Sequence, residues 1–363
     1  MNIKSNDIIF LIGAGCSVEA GIPASGRMIE EIEILLKKEP EWKKFDRLYN
    51  HLKSAIHYSA GLKGQFNSEV AYNIETLVNT LHELERNEDH PLYPFIATWN
   101  SRFVTLAGPE FEAISDFRRL ILRQLKGWVL LEDQDQASYY SGFIKLQRDL
   151  NFALRIFSLN YDLCVEYLET NDFKIETGFP GMGTAKFWDY ERFDSGLAEH
   201  TKPNVYLYKL HGSINWRRDE KKNLLRLPHT EKTKPEEMEI IFGRDFKLDA
   251  ADPYLFYAYE FRRCTLESKL IVCIGYGFGD SHINKMLSQA LSEDDNRKLM
   301  VIMACKDADR RASTQRRIEG QLSLRAQSTQ IAVWTGSAKD FLESDDLSKI
   351  VCEQLPAIPN APF

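Results

Sequence analysis

Two hydrophobic periodicities divide the chain. An unbroken apolar run, Ile8–Ile12, ends in a glycine turn, and the spacing then becomes helical. Ile29, Ile32, Leu35 and Leu36 recur at intervals of three and four, and this pattern predicts helices over Met28–Lys38, Glu41–Leu62, Glu69–Glu85, Pro91–Thr105 and Glu110–Leu131. Asp89-His90-Pro91 and Ala107-Gly108-Pro109 punctuate the series, because proline removes a backbone donor. From residue 152 short apolar runs alternate with polar connections: Phe152–Ser158, Phe173–Glu176, Val205–Leu210, Leu270–Ile274, Leu299–Ala304 and Gln330–Trp334. Helical patterns over Tyr254–Ser268, Ser281–Ser292, Arg310–Ala326 and Lys339–Leu342 separate several of them. The result is an α/β reading: a Rossmann-like doubly wound parallel sheet with a large helical insertion. Residues 1–27 and 151–363 are expected to form the Rossmann-like domain and 28–150 an insertion subdomain. Leu224–Gly243, with two prolines and several charges, reads as a surface excursion, and Gly178–Gly183 as a flexible loop bordering a cleft.

The turn after the first strand is the candidate for chemistry. Gly13, Ala14 and Gly15 let the backbone bend sharply and approach a phosphate, and Val18–Ala20 reads as the first turn of a helix whose N–H groups face the anion. Ser17 can cap those donors or reach a phosphate oxygen, and Gly21, Ile22 and Pro23 supply a second bend. Such turns also join strands to helices with no ligand. The ordinary dinucleotide fingerprint is incomplete: its third glycine would fall at Val18, and no acidic residue ends a second strand about 20 residues on. A plain dehydrogenase is therefore disfavoured.

In a parallel sheet ligands collect where strands end, so the polar residues after each predicted strand form one group. These are Ser158-Leu159-Asn160-Tyr161-Asp162, His211-Gly212-Ser213 and Gly275-Tyr276-Gly277-Phe278-Gly279-Asp280. An imidazole accepts a proton near neutrality, an amide both donates and accepts, and an Asp bonds sugar hydroxyls, although an Asp at a helix start is also a routine cap. His282, on a helix turn, reads as structural. Arg310, Arg311, Arg316, Arg317 and Arg325 form the one strongly basic stretch and read as a solvated face.

Composition narrows the classes. In 363 residues, 44% apolar, a sizeable core can form, and a net charge of −7 makes nucleic acid no default partner. No apolar run approaches the roughly 20 residues that span a bilayer, so a cytoplasmic, membrane-free protein is expected. The six cysteines include no CxxC pair and read as reduced core residues, with Cys16 as the one that could be accessible.

From Gly13 to Pro23 the chain matches, without a gap, GAG-x-S-x-x-x-GIP, the first motif of the sirtuin family, and so resembles it. Asn160 and Asp162 fill its Asn-x-Asp, and His211-Gly212 its His-Gly, in the family's order. IGYGFGDSHIN looks closest to the bacterial anti-phage sirtuin-like effectors. The resemblance covers 7–27 and 152–292. It implies NAD as substrate, Asn160 and His211 as catalytic residues, and NAD contacts from Gly13, Ala14, Gly15, Ser17, Gly21, Ile22, Pro23, Asp162, Gly275, Tyr276 and Gly277. The implied activity is a gated NAD glycohydrolase, with protein deacylase, ADP-ribosyltransferase or a silent NAD-sensing module as alternatives. A homo-oligomer and a HerA-type ATPase partner are further implications. The chain departs from the deacylases at Leu159, at Ala24-Ser25-Gly26 and in lacking the paired CxxC of their zinc module, so no zinc is expected.

Overall fold

A computed structural model describes residues 3–62, 64, 72–85, 101–108, 111–180, 186–194, 202–228, 230, 233–241, 252–304 and 308–356. Its strands are β1 (Ile8–Ile12), β2 (Leu154–Ser158), β3 (Ile175–Glu176), β4 (Lys186–Phe187), β5 (Val205–Lys209), β6 (Trp216–Arg218), β7 (Leu224–Arg226), β8 (Leu270–Ile274), β9 (Lys298–Met303) and β10 (Ile331–Thr335). Between β1 and β2 run α1 (Ser25–Lys38), α2 (Pro40–Lys43), α3 (Asp46–Leu62), α4 (Ile74–Glu85), α5 (Ser101–Ala107), α6 (Glu112–Val129) and α7 (Gly142–Leu150). The later helices are α8 (Tyr254–Glu267), α9 (Ser281–Glu293), α10 (Ala308–Gln321), α11 (Ala338–Leu342) and α12 (Leu347–Cys352).

Seven strands pair in parallel in the order β10-β9-β8-β1-β2-β5-β3. A strand covered on both faces needs apolar side chains at every position, which is why β1 and β8 are continuous apolar runs. Their alternation still sorts the faces: Ile8, Phe10 and Ile12 join one core cluster, Ile9 and Leu11 the other. From β1 the chain runs to β2, out to the edge strand β3 and back to β5 between them, then crosses to β8 on the other side of β1. The switch point therefore lies between β1 and β8. Register pairs Ile12 with Ser158 and with Ile274, and Ser158 with Lys209, so the loops after four strands leave one edge side by side.

The predicted α/β sheet and helical insertion are present, with differences that physical detail explains. Val18–Ala20 is not the start of an α-helix; residues 14–16 and 18–20 are single 3-10 turns, and α1 begins at Ser25. Gly21, at φ +89°, turns left-handed between them and ends the run. Helices α1, α3, α4, α6 and α7 share one continuous core with a face of the sheet, as where Phe10 meets Phe143 edge-on at 5.8 Å. The antiparallel sheet β4-β7-β6 was not expected. With it, the supposed surface excursion is in part interior: Leu224–Arg226 is buried, and residues 238–241 fold back over the loop after β5. Gly178 is likewise buried beneath Trp188, where its carbonyl accepts from Asp189 N at 2.8 Å. Of the predicted helix Pro91–Thr105, residues 91–100 lie outside those described, as do 69–71 of Glu69–Glu85 and 181–183 of the Gly178 loop.

Candidate active site

Two clusters of polar side chains stand on the shared edge. The first gathers around Ser17, which is wholly buried. Its hydroxyl donates to Asp162 Oδ2 at 2.7 Å and accepts from Asn160 Nδ2 at 3.0 Å. Tyr140 Oη lies 2.8 Å from the same oxygen, and since the serine proton already serves Asp162, the tyrosine is the donor. A hydroxyl has one donor and two acceptor sites. Ser17 is thus saturated, and it braces Asn160 and Asp162 instead of reaching outward. Asn160 gives its other amide hydrogen to the Gly13 carbonyl at 3.1 Å, which fixes its orientation. Asp162 Oδ1 accepts from Cys164 N at 3.1 Å. Beneath them buried Lys209 pairs with Glu166 at 3.0 Å and donates to the Asp162 carbonyl. Cys16 is not accessible: it is buried, and burial pushes its thiol up to about 12, so it is no nucleophile.

The second cluster centres on His211. Gly212 follows at φ +82°, and a Cβ there would strike the Glu239 carbonyl, so only glycine fits. Ile241 N donates to His211 O at 2.9 Å and Ser213 N to Glu239 O at 3.1 Å, pinning the loop from the side the sequence had left at the surface. His211 Nε2 lies 3.2 Å from Asp280 Oδ2, while Asp280 Oδ1 caps α9 by accepting from His282 N at 2.8 Å and Ile283 N at 3.1 Å. Burial opposes ionisation of Asp280, but the His211 hydrogen bond and the two helix amides outweigh it and hold the carboxyl below its ordinary value. An ionised Asp280 only accepts. Neutral His211 therefore carries its proton on Nε2 and has its basic lone pair on Nδ1. Burial depresses the proton affinity of His211, yet the Asp280 hydrogen bond and the charges of Glu75 and Asp280 raise it above the ordinary histidine value.

Glu75 comes from the first turn of α4, in the helical insertion, and is half-buried. Asp280 was visible only as the last residue of the glycine loop; an Asp before a helix announces a cap and says nothing of a histidine partner.

The glycines divide into two sorts. A Cβ at Gly15 would lie 2.8 Å from Gly275 Cα, and one at Gly13 2.9 Å from Gly275 O. Gly15 N donates to Gly275 O at 2.9 Å and Gly13 N to Ile274 O at 3.0 Å, and the amides of Cys16 and Ser17 close the 3-10 turns. The close neighbour of Gly13 and Gly15 is thus the loop after β8. By contrast a Cβ at Gly277 or Gly279 would meet nothing within 4 Å. Between them Phe278 is left-handed at φ +58°, its carbonyl held by Asn284 Nδ2 at 2.9 Å. Arg317 of α10 donates to Gly277 O at 3.3 Å, so one member of the basic stretch reaches the loop. Tyr276 is buried, with its hydroxyl 2.8 Å from Asn284 Oδ1. Ile22 belongs to the core, in the turn formed with Gly21 and Pro23 before α1. Among the described residues no hydrogen bond joins Asn160 to His211, no three His, Cys, Asp or Glu are set to hold a metal, and no helix is long and apolar enough to cross a membrane.

Residues 154–326 match the family model of the SIR2-like domain. The SIR2-like stretch begins with β2 and contains Asn160, Asp162, His211, the Gly275–Asp280 loop and Arg317. It covers a little under half of the chain and leaves out both the Gly13–Pro23 turn and the helices that bear Glu75. No curated protein matches the chain. Among solved structures, a triple mutant of Sir2 homologues in complex with 2'-O-acetyl ADP ribose aligns at TM-score 0.42 and 12% identity, over 97% of this chain and 94% of that one. A complex of a Sir2 homologue with NAD aligns at 0.40 and 11%, over 95% and 89%.

Proposed function

We propose that the protein is an NAD glycohydrolase, cleaving NAD to nicotinamide and ADP-ribose. The observation that carries this reading is that the SIR2-like stretch places a histidine, oriented by an ionised carboxylate, on the same sheet edge as an asparagine of fixed orientation. When the bond between nicotinamide and ribose breaks, its electron pair leaves with nicotinamide and the sugar becomes electron-poor. A water oxygen bonds to that carbon, and its proton passes to His211 Nδ1. Asn160 Oδ1 orients the water or a ribose hydroxyl. The open face over Gly277 and Gly279, with Arg317 beside it, is where the diphosphate would lie.

His211 is 2% exposed and Asn160 6%, so both reacting groups stand on the buried side of the edge. The motif resemblance favours a gated, cytoplasmic NAD-depleting effector of bacterial anti-phage defence, working as a homo-oligomer and opened by a HerA-type ATPase or another regulatory partner.

The test is incubation with NAD, with and without such an ATPase, followed by chromatography of the products. Wild type should release nicotinamide and ADP-ribose in equal amounts. His211→Ala, Asn160→Ala and the double variant should all fall by roughly 100-fold or more, to similar rates, while still binding NAD. Near-normal release by His211→Ala would sink the proton-acceptor role. Release that requires an acyl-lysine peptide or a protein acceptor would make the protein a deacylase or transferase. Binding without turnover in every arm would make it a sensing module.

A further inference from the structure

We propose that Tyr140 is a positioning residue of this site: its hydroxyl, acting through Ser17, holds Asn160 in the orientation that NAD cleavage requires. Tyr140 lies in Gln134–Ser141, an eight-residue 3-10 stretch that runs without a break into α7 and so closes the helical insertion just before β2. Such runs seldom exceed about four residues, because their hydrogen bonds are poorly aligned. This one is held by its surroundings. At its start Asp133 Oδ1 accepts from Asp135 N at 2.9 Å, and at its end Gly142 packs so closely on α11 that a Cβ would strike the Leu342 carbonyl. Tyr139 and Tyr140 are both buried, with their rings 4.9 Å apart, and they aim their hydroxyls at consecutive residues of the turn after β1. Tyr139 Oη donates to Cys16 O at 2.6 Å, and Tyr140 Oη to Ser17 Oγ at 2.8 Å.

The two bonds differ in what lies beyond them. Tyr139 ends on a backbone carbonyl, whereas Tyr140 ends on an oxygen that Asn160 and Asp162 share. That oxygen has one donor site and two acceptor sites, so it is filled only when all three partners are present. Burial keeps the Tyr140 hydroxyl protonated, which makes it a permanent donor and leaves the serine proton to Asp162. Without the tyrosine hydroxyl one buried acceptor site is empty, and the serine is freer to turn about its Cα–Cβ bond. The Asn160 amide then loosens on the Ser17 side while the Gly13 carbonyl still holds the other. Among the described residues Tyr140 makes no hydrogen bond to Asn160 or Asp162, so its influence on them runs through Ser17. Gln134–Ser141 also lies outside the SIR2-like stretch, and the insertion thereby braces a group that belongs to that stretch.

The inference rests on the NAD-cleavage reading for its consequence in turnover, and a ligand-free measurement keeps the two apart. In the full-length protein without NAD, solvent exchange of the Asn160 side-chain amide hydrogens is followed by NMR in wild type and in Tyr140→Phe. The variant keeps the buried ring, so its thermal midpoint should stay within about 5 °C of wild type, while the amide should exchange roughly tenfold faster. In turnover, Tyr140→Phe should lower kcat for nicotinamide release by roughly tenfold with KM for NAD within about twofold. In a Ser17→Ala background the same substitution should change kcat by less than about twofold, because the connection to Asn160 is already gone. A packing role alone would persist without the serine. Unchanged exchange in Tyr140→Phe, or the full penalty retained in the Ser17→Ala background, overturns the proposal. If wild type cleaves no NAD, the exchange rates alone decide it and only the function falls; cleavage with unchanged exchange removes Tyr140 and leaves the function.

Discussion

Asp280 shows how much one side chain can decide. One oxygen caps α9 and the other orients His211, so substitution by alanine would confound the two tasks. Asparagine separates them, because it caps nearly as well but carries no charge. Asp280→Asn should therefore keep α9 and cost stability no more than about 1 kcal/mol, while lowering the His211 proton affinity and shifting the acid limb of turnover downward. The sign of the pH dependence follows from the same pair. His211 is raised above its ordinary 6.5, so its contribution to stability is complete below that value and disappears as pH rises through the folded-state value. Urea midpoints should fall across that interval in wild type and stay flatter in Asp280→Asn. An equal slope in both would mean that Asp280 does not raise the histidine.

At the scale of elements, the two glycine loops look alike in sequence and differ in what their missing side chains accommodate. The turn after β1 is pressed against the backbone after β8, whereas Gly277 and Gly279 border open space. A Gly15 substitution therefore cannot test ligand binding cleanly, since the added carbon meets Gly275 first. Gly15→Ala should destabilise by about 1–3 kcal/mol, as overpacking does. Gly277→Ala should leave the thermal midpoint near wild type and weaken NAD binding about tenfold, by closing the path of the diphosphate. Calorimetric titration with NAD beside thermal melts checks both. Unchanged affinity in Gly277→Ala would remove that loop from the binding surface.

For the whole molecule, the question is whether the helices between β1 and β2 stand apart. They were expected as an insertion subdomain, but their apolar faces run without interruption into the core over β1, β2, β5 and β8. Leu125 of α6 is wholly buried in that cluster. Leu125→Ala should cost about 2–5 kcal/mol and lower one shared transition, with far-UV circular dichroism and tryptophan fluorescence still coincident. Two separated transitions would show the insertion to be an independent folding unit.

What the sequence determined by itself was whatever depends on local period and on chain order. Apolar runs marked β1, β2, β5 and β8 within about two residues, and the residues after them named the edge where Asn160 and His211 stand. What only the tertiary structure decided was which distant groups meet there. Nothing in the order of residues says that Asp280 turns back to His211 across 69 positions or that Ser17 is spent bracing Asn160. The short strands β4, β6 and β7 were equally hidden, because two or three residues are too few to display an alternation. Gly13 and Gly15 carry the same lesson: a missing side chain is legible in sequence, but whether a phosphate or another loop fills the space depends on how the strands are brought together.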